Sequence, residues 1–204
     1  MPIELRDVVF RYGDRVILDG FDATLREGSL VGVVGPSGVG KSTLLGLMSG
    51  ELRAPRGSIR YPDLPGGPER LAATAVGWIM QTTNVFGRRS VLDNVLLPTW
   101  IGGVRRRDAA AAAREALARV GLADLAERRC ASLSGGERQR VAMARALAGR
   151  APVVLADEPT ASLDRANRDQ LTDLLAGAAD GGVLVVVATH DPAVAARCDA
   201  MIEL

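Results

Sequence analysis

The stretch "SLVGVVGPSGVGKSTLLGLMSG", residues 29–50, changes character twice in a short span. Ser29 to Val34 is a continuous apolar run, the composition of a strand covered on both faces. Glycines at 35, 38 and 40 then interrupt it. Lys41 to Ser49 resumes with the residue choice of a helix. A strand that passes through a glycine turn into a helix is the first half of a parallel crossover, so the core is α/β. Three further apolar runs, "AVGWIM", "PVVLAD" and "GVLVVVAT", have the same doubly buried character. Helices are expected between them. They cover "DAAAAAREALARVGL", with Asp108 as N-cap and Gly121 as stop, then Gly135 to Ala148, and Arg165 to Ala178. Upstream, "IELRDVVFRY" and "RVILDGFDATLR" alternate and read as an antiparallel hairpin. Residues from about 84 to 149 are mainly helical and read as an inserted lobe. "PDLPGGPE", residues 62–69, reads as a surface loop.

With 204 residues, 48% of them apolar, the chain suits one domain with such an inserted lobe. Its net charge of +1 gives no ground for bulk nucleic-acid binding, and no nucleic-acid partner is expected. Cys130 and Cys198 read as buried free thiols of a reducing compartment. The opening "MPIELRDVVF" carries charge at once, unlike a signal peptide. Its longest uncharged run, Leu71 to Gly87, is broken by Gln81, Thr82, Thr83 and Asn84, so no membrane-spanning helix is expected. No regulatory domain is expected after "MIEL".

"GPSGVGKS" fits the pattern G-x-x-x-x-G-K-[ST], and it stands between a strand and a helix as that pattern requires. The glycines let successive N–H groups converge on phosphate oxygens, and the helix start adds its dipole. Gly35, Pro36, Ser37, Gly38, Val39, Gly40, Lys41, Ser42 and Thr43 are therefore the expected phosphate-binding residues. Lys41 is the only lysine among 25 Lys and Arg residues. A compact ammonium can enter a tight phosphate wrap where a planar guanidinium is too large. Ser42 is expected to offer its hydroxyl to Mg²⁺, and Thr43 to reach the α-phosphate side. Without a second lysine the Asn-Lys-x-Asp guanine motif cannot be made, which favours adenine held by stacking. Tyr12 at the hairpin tip is the candidate platform, its plainer reading being a surface aromatic.

"PVVLADEP" closes a buried strand with two acids. Asp157 is expected to hold Mg²⁺ through water. Strand alternation should turn Glu158 the other way, toward an attacking water, as general base. A simple strand end is the plainer alternative. In "LSGGERQRVAMARAL", Ser134 and Glu137 fit a capping box. By itself that is ordinary capping, but Gly135 and Gly136 leave the helix start bare, a second place where an anion could bind.

Taken together these segments resemble the ATP-binding subunits of ABC transporters, and the resemblance runs from Ile3 to Leu204. "LSGGERQR" is similar to the family's signature motif. Gln81 resembles the Q-loop glutamine, "ASLD" the D-loop ending in Asp164, and His190 the switch histidine. The resemblance implies a P-loop NTPase core with a mainly parallel sheet, an N-terminal antiparallel β subdomain and an inserted helical subdomain. It implies ATP and Mg²⁺ as ligands, with Ser42, Gln81 and Asp157 at the metal and Glu158, His190 and Gln81 in hydrolysis. It also implies a head-to-tail dimer, each ATP lying between the P-loop of one chain and Ser134, Gly135 and Gly136 of a second ATP-binding subunit. "SVLDNVLLP" is similar to the subgroup serving lipoprotein release, macrolide export and cell division. The preceding "TTNVFGRR" departs from that subgroup. A transmembrane permease partner would hold the chain at the cytoplasmic face of the cell membrane. "RRR" at 105–107 reads as a solvated helix start. Soluble ABC ATPases of DNA repair, chromosome handling or translation are the alternative class. Those carry coiled-coil insertions, tandem ATPase domains or basic surfaces, which this sequence does not show. A non-hydrolysing scaffold is a third, against which Glu158 and His190 stand.

Overall fold

The computed structural model describes residues 1–63, 76–80, 85–101 and 105–204. Strands β1 (Ile3–Tyr12) and β2 (Arg15–Leu25) pair antiparallel, with Tyr12 opposite Arg15 across the turn. Strand β3 (Leu30–Val34) leads into helix α1 (Lys41–Met48). Strand β4 (Arg56–Arg60) joins the free edge of β1, giving a three-stranded sheet in the order β2-β1-β4. The sequence "RGSIR" carries one apolar residue, so this strand has almost no hydrophobic signature of its own.

The second sheet contains β3, β5 (Val76–Ile79), β6 (Val153–Asp157), β7 (Leu184–Thr189) and β8 (Ala200–Glu203). Their order is β5-β6-β7-β3-β8, and every neighbouring pair is parallel. Side-chain alternation divides the central strands between two cores. Val153, Leu155, Leu184, Val186 and Ala188 pack with α1 and the antiparallel sheet. Val154, Ala156, Val185 and Val187 face the other way, toward helices α2 (Val91–Ile101), α3 (Arg106–Arg119), α4 (Gly135–Ala148) and α5 (Arg165–Asp180). Both faces are covered, which is why these runs are apolar without a break. Each fully buried Val or Leu contributes about 1.5–3 kcal/mol of transfer free energy.

Helix α3 starts two residues before the expected Asp108. Arg105 occupies the N-cap position without a side-chain cap, and Asp108 lies in the first turn. A carboxylate there meets the positive end of the helix dipole, so the acid supports the start without capping it. Gly121 follows the C-cap residue Val120 with φ +69°, the left-handed stop its position suggested. Arg105 and Arg107 are exposed at the helix start. A short helix α6 (Pro192–Ala195) follows β7. Cys130 is a buried free thiol, whereas Cys198 is only half-buried. Residues 64–69 of the expected surface loop lie outside the described residues. No helix among the described residues is long and apolar enough to cross a membrane.

Within α2, Val91 and Val95 are fully buried, and Leu92 and Leu96 pack against the same core. These four residues therefore serve core packing. Between Val91 and Val95 sits Asn94, also without exposed surface. Its carbonyl oxygen accepts the Phe86 N–H at 2.7 Å. Its amide donates to the carbonyls of Phe86 (3.1 Å) and Ser90 (2.8 Å) and to Cys130 Sγ (3.2 Å). Alongside, Cys130 N–H bonds Arg89 O and Ala131 N–H bonds Gly87 O. One buried amide thus pins the segment before α2 to the segment before α4. Removing it takes the partner from the Phe86 N–H, at about 1–3 kcal/mol, while Phe86 O and Ser90 O keep backbone bonds from Arg89 and Asn94. Asn94→Ala should lose about 2 kcal/mol, a fall in melting temperature of about 4–8 °C for a chain of this size. Thermal unfolding followed by circular dichroism checks it; a shift below about 2 °C, less than 1 kcal/mol, would mean the network is not stabilising.

Candidate active site

Parallel register brings the carboxyl ends of β6, β7 and β3 to one edge of the sheet, where ligands of such folds bind. The glycine turn leaves β3 there, Asp157 ends β6, and His190 follows β7. A cavity of about 270 Å³ opens at this edge. It is lined by Tyr12, Arg15, Ile17, Ser37, Gly38, Gly40, Lys41, Ser42, Thr43, Asp157 and Glu158.

Lys41 is buried, with 7% of its surface exposed. Its ammonium donates to the carbonyls of Gly35 (2.9 Å) and Pro36 (3.2 Å), folding the loop around its own side chain. It also stands 3.4 Å from Glu158 Oε1. His190 Nδ1 lies 2.9 Å from both carboxylate oxygens of Glu158. The histidine ring is mostly exposed, so Glu158 bridges a buried cation and a solvent-facing imidazole.

The reason given by strand alternation for Glu158 does not hold. Glu158 lies one residue past β6, in the left-handed region with φ +45°. Its N–H donates to Ala188 O at 2.9 Å, binding the end of β6 to β7. The left-handed backbone cancels the alternation, and both Asp157 and Glu158 open onto the same cavity. A non-glycine residue in this region carries strain, which the hydrogen bond and the flanking strands must hold.

Strand β2 supplies two residues with no sequence signal for the site. Arg15 donates to Gly38 O, and Ile17 packs beneath Gly40. At Gly40, φ is +127°, and a Cβ would come within 2.4 Å of Ile17 Cγ2. Glycine is required there for both conformation and space. Tyr12 is half-exposed at the end of β1, its ring edge-on to Phe10 with centroids 5.1 Å apart. Ser42 and Asp157 present oxygen donors to the same cavity, the partial donor set that Mg²⁺ uses when phosphates complete its shell.

Other expected site residues lie away from this cavity. Ser134 caps α4 and accepts the Glu137 N–H, while Glu137 reaches back to the Ser134 N–H at 2.7 Å. These bonds, the backbone one foremost, hold the Glu137 carboxyl below its usual range. Gly135 faces open space. Asp164 caps α5 and is likewise held low, first by the Asn167 N–H and then by the Asn167 amide. None of Ser134, Gly135, Gly136 and Asp164 lines the cavity that holds Lys41. Gln81 lies outside the described residues.

The family model described as ABC transporter matches residues 18–161. A lipoprotein-releasing system ATP-binding protein LolD of Ruegeria sp. (strain TM1040) is 42% identical over 200 residues, covering 94% of this chain and 88% of that one. An uncharacterized ABC transporter ATP-binding protein of Mycobacterium tuberculosis (strain ATCC 25618 / H37Rv) is 39% identical over 193 residues. That match takes in 92% of this chain but only 58% of the longer relative. Among solved structures, the dimeric post-hydrolysis state of the ATP-binding cassette MJ0796, bound to ADP and Pi, superposes with a TM-score of 0.84 at 30% identity. It covers 99% of this chain and 94% of that one. A glycine loop closed on a buried lysine, a paired carboxylate and histidine beside it, and these likenesses together place the chain in the ABC transporter family, as an ATP-binding and ATP-hydrolysing cassette.

Proposed function

We propose that this chain hydrolyses ATP as one half of a two-chain sandwich and so drives a membrane permease or extraction complex from the cytoplasmic side. The observation that carries the reading is the separation of the loop 35–43 from the start of α4. The loop 35–43 closes on Lys41 at one cavity, while the bare start of α4 at Ser134, Gly135 and Gly136 takes no part in lining it. A second copy placed head to tail brings the two together. The β- and γ-phosphates lie in the loop against Lys41, the adenine stacks on Tyr12, and the partner's helix start receives the γ-phosphate. Asp164 belongs to the same intersubunit face. Residues 1–204 act as a single unit, with about 84–149 as the lobe toward the membrane partner. The likeness to lipoprotein-release ATPases supports a partner on which the cassette does mechanical work.

In hydrolysis, a water oxygen bonds to the γ-phosphorus as the bond to the β–γ bridging oxygen breaks. The water proton passes to Glu158, and ADP and phosphate leave. Lys41 and His190 hold the Glu158 carboxylate from two sides before the substrate arrives. Ser42, Asp157 and Gln81 would hold Mg²⁺, which neutralises phosphate charge when bound.

Two variants test the assignment. Glu158→Gln should still bind ATP while turnover falls by about 10²–10⁴-fold, and it should accumulate as an ATP-bound dimer in sedimentation analysis. Unchanged turnover would move the base elsewhere. Lys41→Arg keeps the charge but must place a planar fork between Gly35 O, Pro36 O and Glu158. A phosphate displaced by about 1 Å costs on the order of 10²-fold in turnover. Retention of more than about a third of the wild-type rate, against that expected 10²-fold loss, would remove the steric reading of the lysine.

A further inference from the structure

The signature helix start and the D-loop lie far apart in sequence, yet one side chain joins them. Asp164, the N-cap of α5, accepts the Asn167 N–H on one oxygen and the Asn167 side-chain amide on the other, each at 2.9 Å. On its opposite side, Asn167 Oδ1 accepts from Arg140 Nη1 at 3.3 Å, and the same arginine nitrogen donates to Gln170. Arg140 is in the second turn of α4, directly behind the capping box. Gly136, also in α4, is pressed against the same amide. A Cβ there would lie 2.6 Å from Asn167 Oδ1 and 2.7 Å from its Cγ. No other residue type leaves room for this contact unless Asn167 moves. Gly136 is therefore the seat for Asn167, and Gly135 is the open part of the helix start.

We infer that Asn167 is a positioning residue that fixes the helix start at Ser134–Gly136 relative to Asp164, so that both meet the partner chain as one rigid face. The inference rests on the two-chain site proposed above. Short backbone bonds continue from this face toward the base. Ala161 N–H bonds Glu158 O, and Leu163 N–H bonds Thr160 O. The segment from Glu158 to Asn167 is thus held at both ends. Losing the amide bridge leaves the loop 35–43 untouched and frees the helix start to shift against Asp164. The displacement is felt only where two chains meet around ATP.

Asn167→Ala should leave the ATP affinity of the monomer unchanged, measured with a fluorescent ATP analogue. It should lower kcat by about 10–10²-fold, the scale set by a misplacement near 1 Å. Combined with Glu158→Gln, it should raise the protein concentration needed for ATP-driven dimerisation by tenfold or more, on that same misplacement scale. A merely structural role would lower the melting temperature without separating monomer affinity from kcat and dimerisation. Asn167→Ser removes the same bridge with a residue well suited to a helix first turn, and it should behave alike. Wild-type kcat and dimerisation in either variant overturns the positioning role while leaving the two-chain site standing. Failure of the Glu158→Gln parent itself to dimerise with ATP overturns both.

Discussion

The Glu158 carboxylate is held between the Lys41 ammonium and the His190 imidazole, and much of the chain is arranged to make that meeting possible. Glu158 and His190 directly follow β6 and β7, and Lys41 opens α1 after the glycine loop that leaves β3; β6, β7 and β3 are adjacent in the sheet. Parallel pairing puts those ends on one edge, and burial of both sheet faces keeps their register. The glycine loop turns the Lys41 side chain back onto its own carbonyls, and Ile17 from the antiparallel sheet closes against Gly40. Shifting β6 by one residue against β7 would move Glu158 away from both partners. The cost of gathering an acid, a buried lysine and a left-handed backbone in one place is carried by two cores of Val, Leu and Ala on the faces of the sheet.

The parts of the fold with strong local signals were legible in the sequence. The four continuous apolar runs are parallel strands, the alternating runs form the antiparallel hairpin, and Gly121 stops its helix. The capping box at Ser134 and Glu137 is present in full. Weakly patterned pieces were not legible. Strand β4 exists because β1 offers an open edge, which "RGSIR" itself does not announce. Asp108 satisfies the rule for an N-cap and for a first-turn acid equally, and sequence cannot tell which the chain adopts. Glu158 shows a different limit. The sequence reading turns it toward the site by strand alternation, and alternation ends where φ turns positive. Arg15, and Asn167 in its bond with Arg140, act through tertiary contacts that no spacing rule encodes.

The same geometry gives the molecule two unlike functional ends. One end is a closed phosphate loop with its acid and histidine in place. The other is a capped but bare helix start, braced by Asn167 against the D-loop. Each end is built within one chain, and neither supplies what the other lacks. In the proposed two-chain sandwich both ends are used, and hydrolysis would depend on association. A membrane partner that separates or approximates the two chains would then be coupled to ATP without touching the phosphates.

The most direct test of that dependence is complementation between two inactive variants. Lys41→Ala removes the loop cation, and Ser134→Arg blocks the helix start of the other end. Each purified alone should hydrolyse almost no ATP. Mixed in equal amounts, they can form a pair with one site carrying both lesions and one site carrying neither. Turnover in the mixture well above the sum of the separate proteins is the expected result. A mixture as inactive as its components would show that loop and helix start do not meet across two chains.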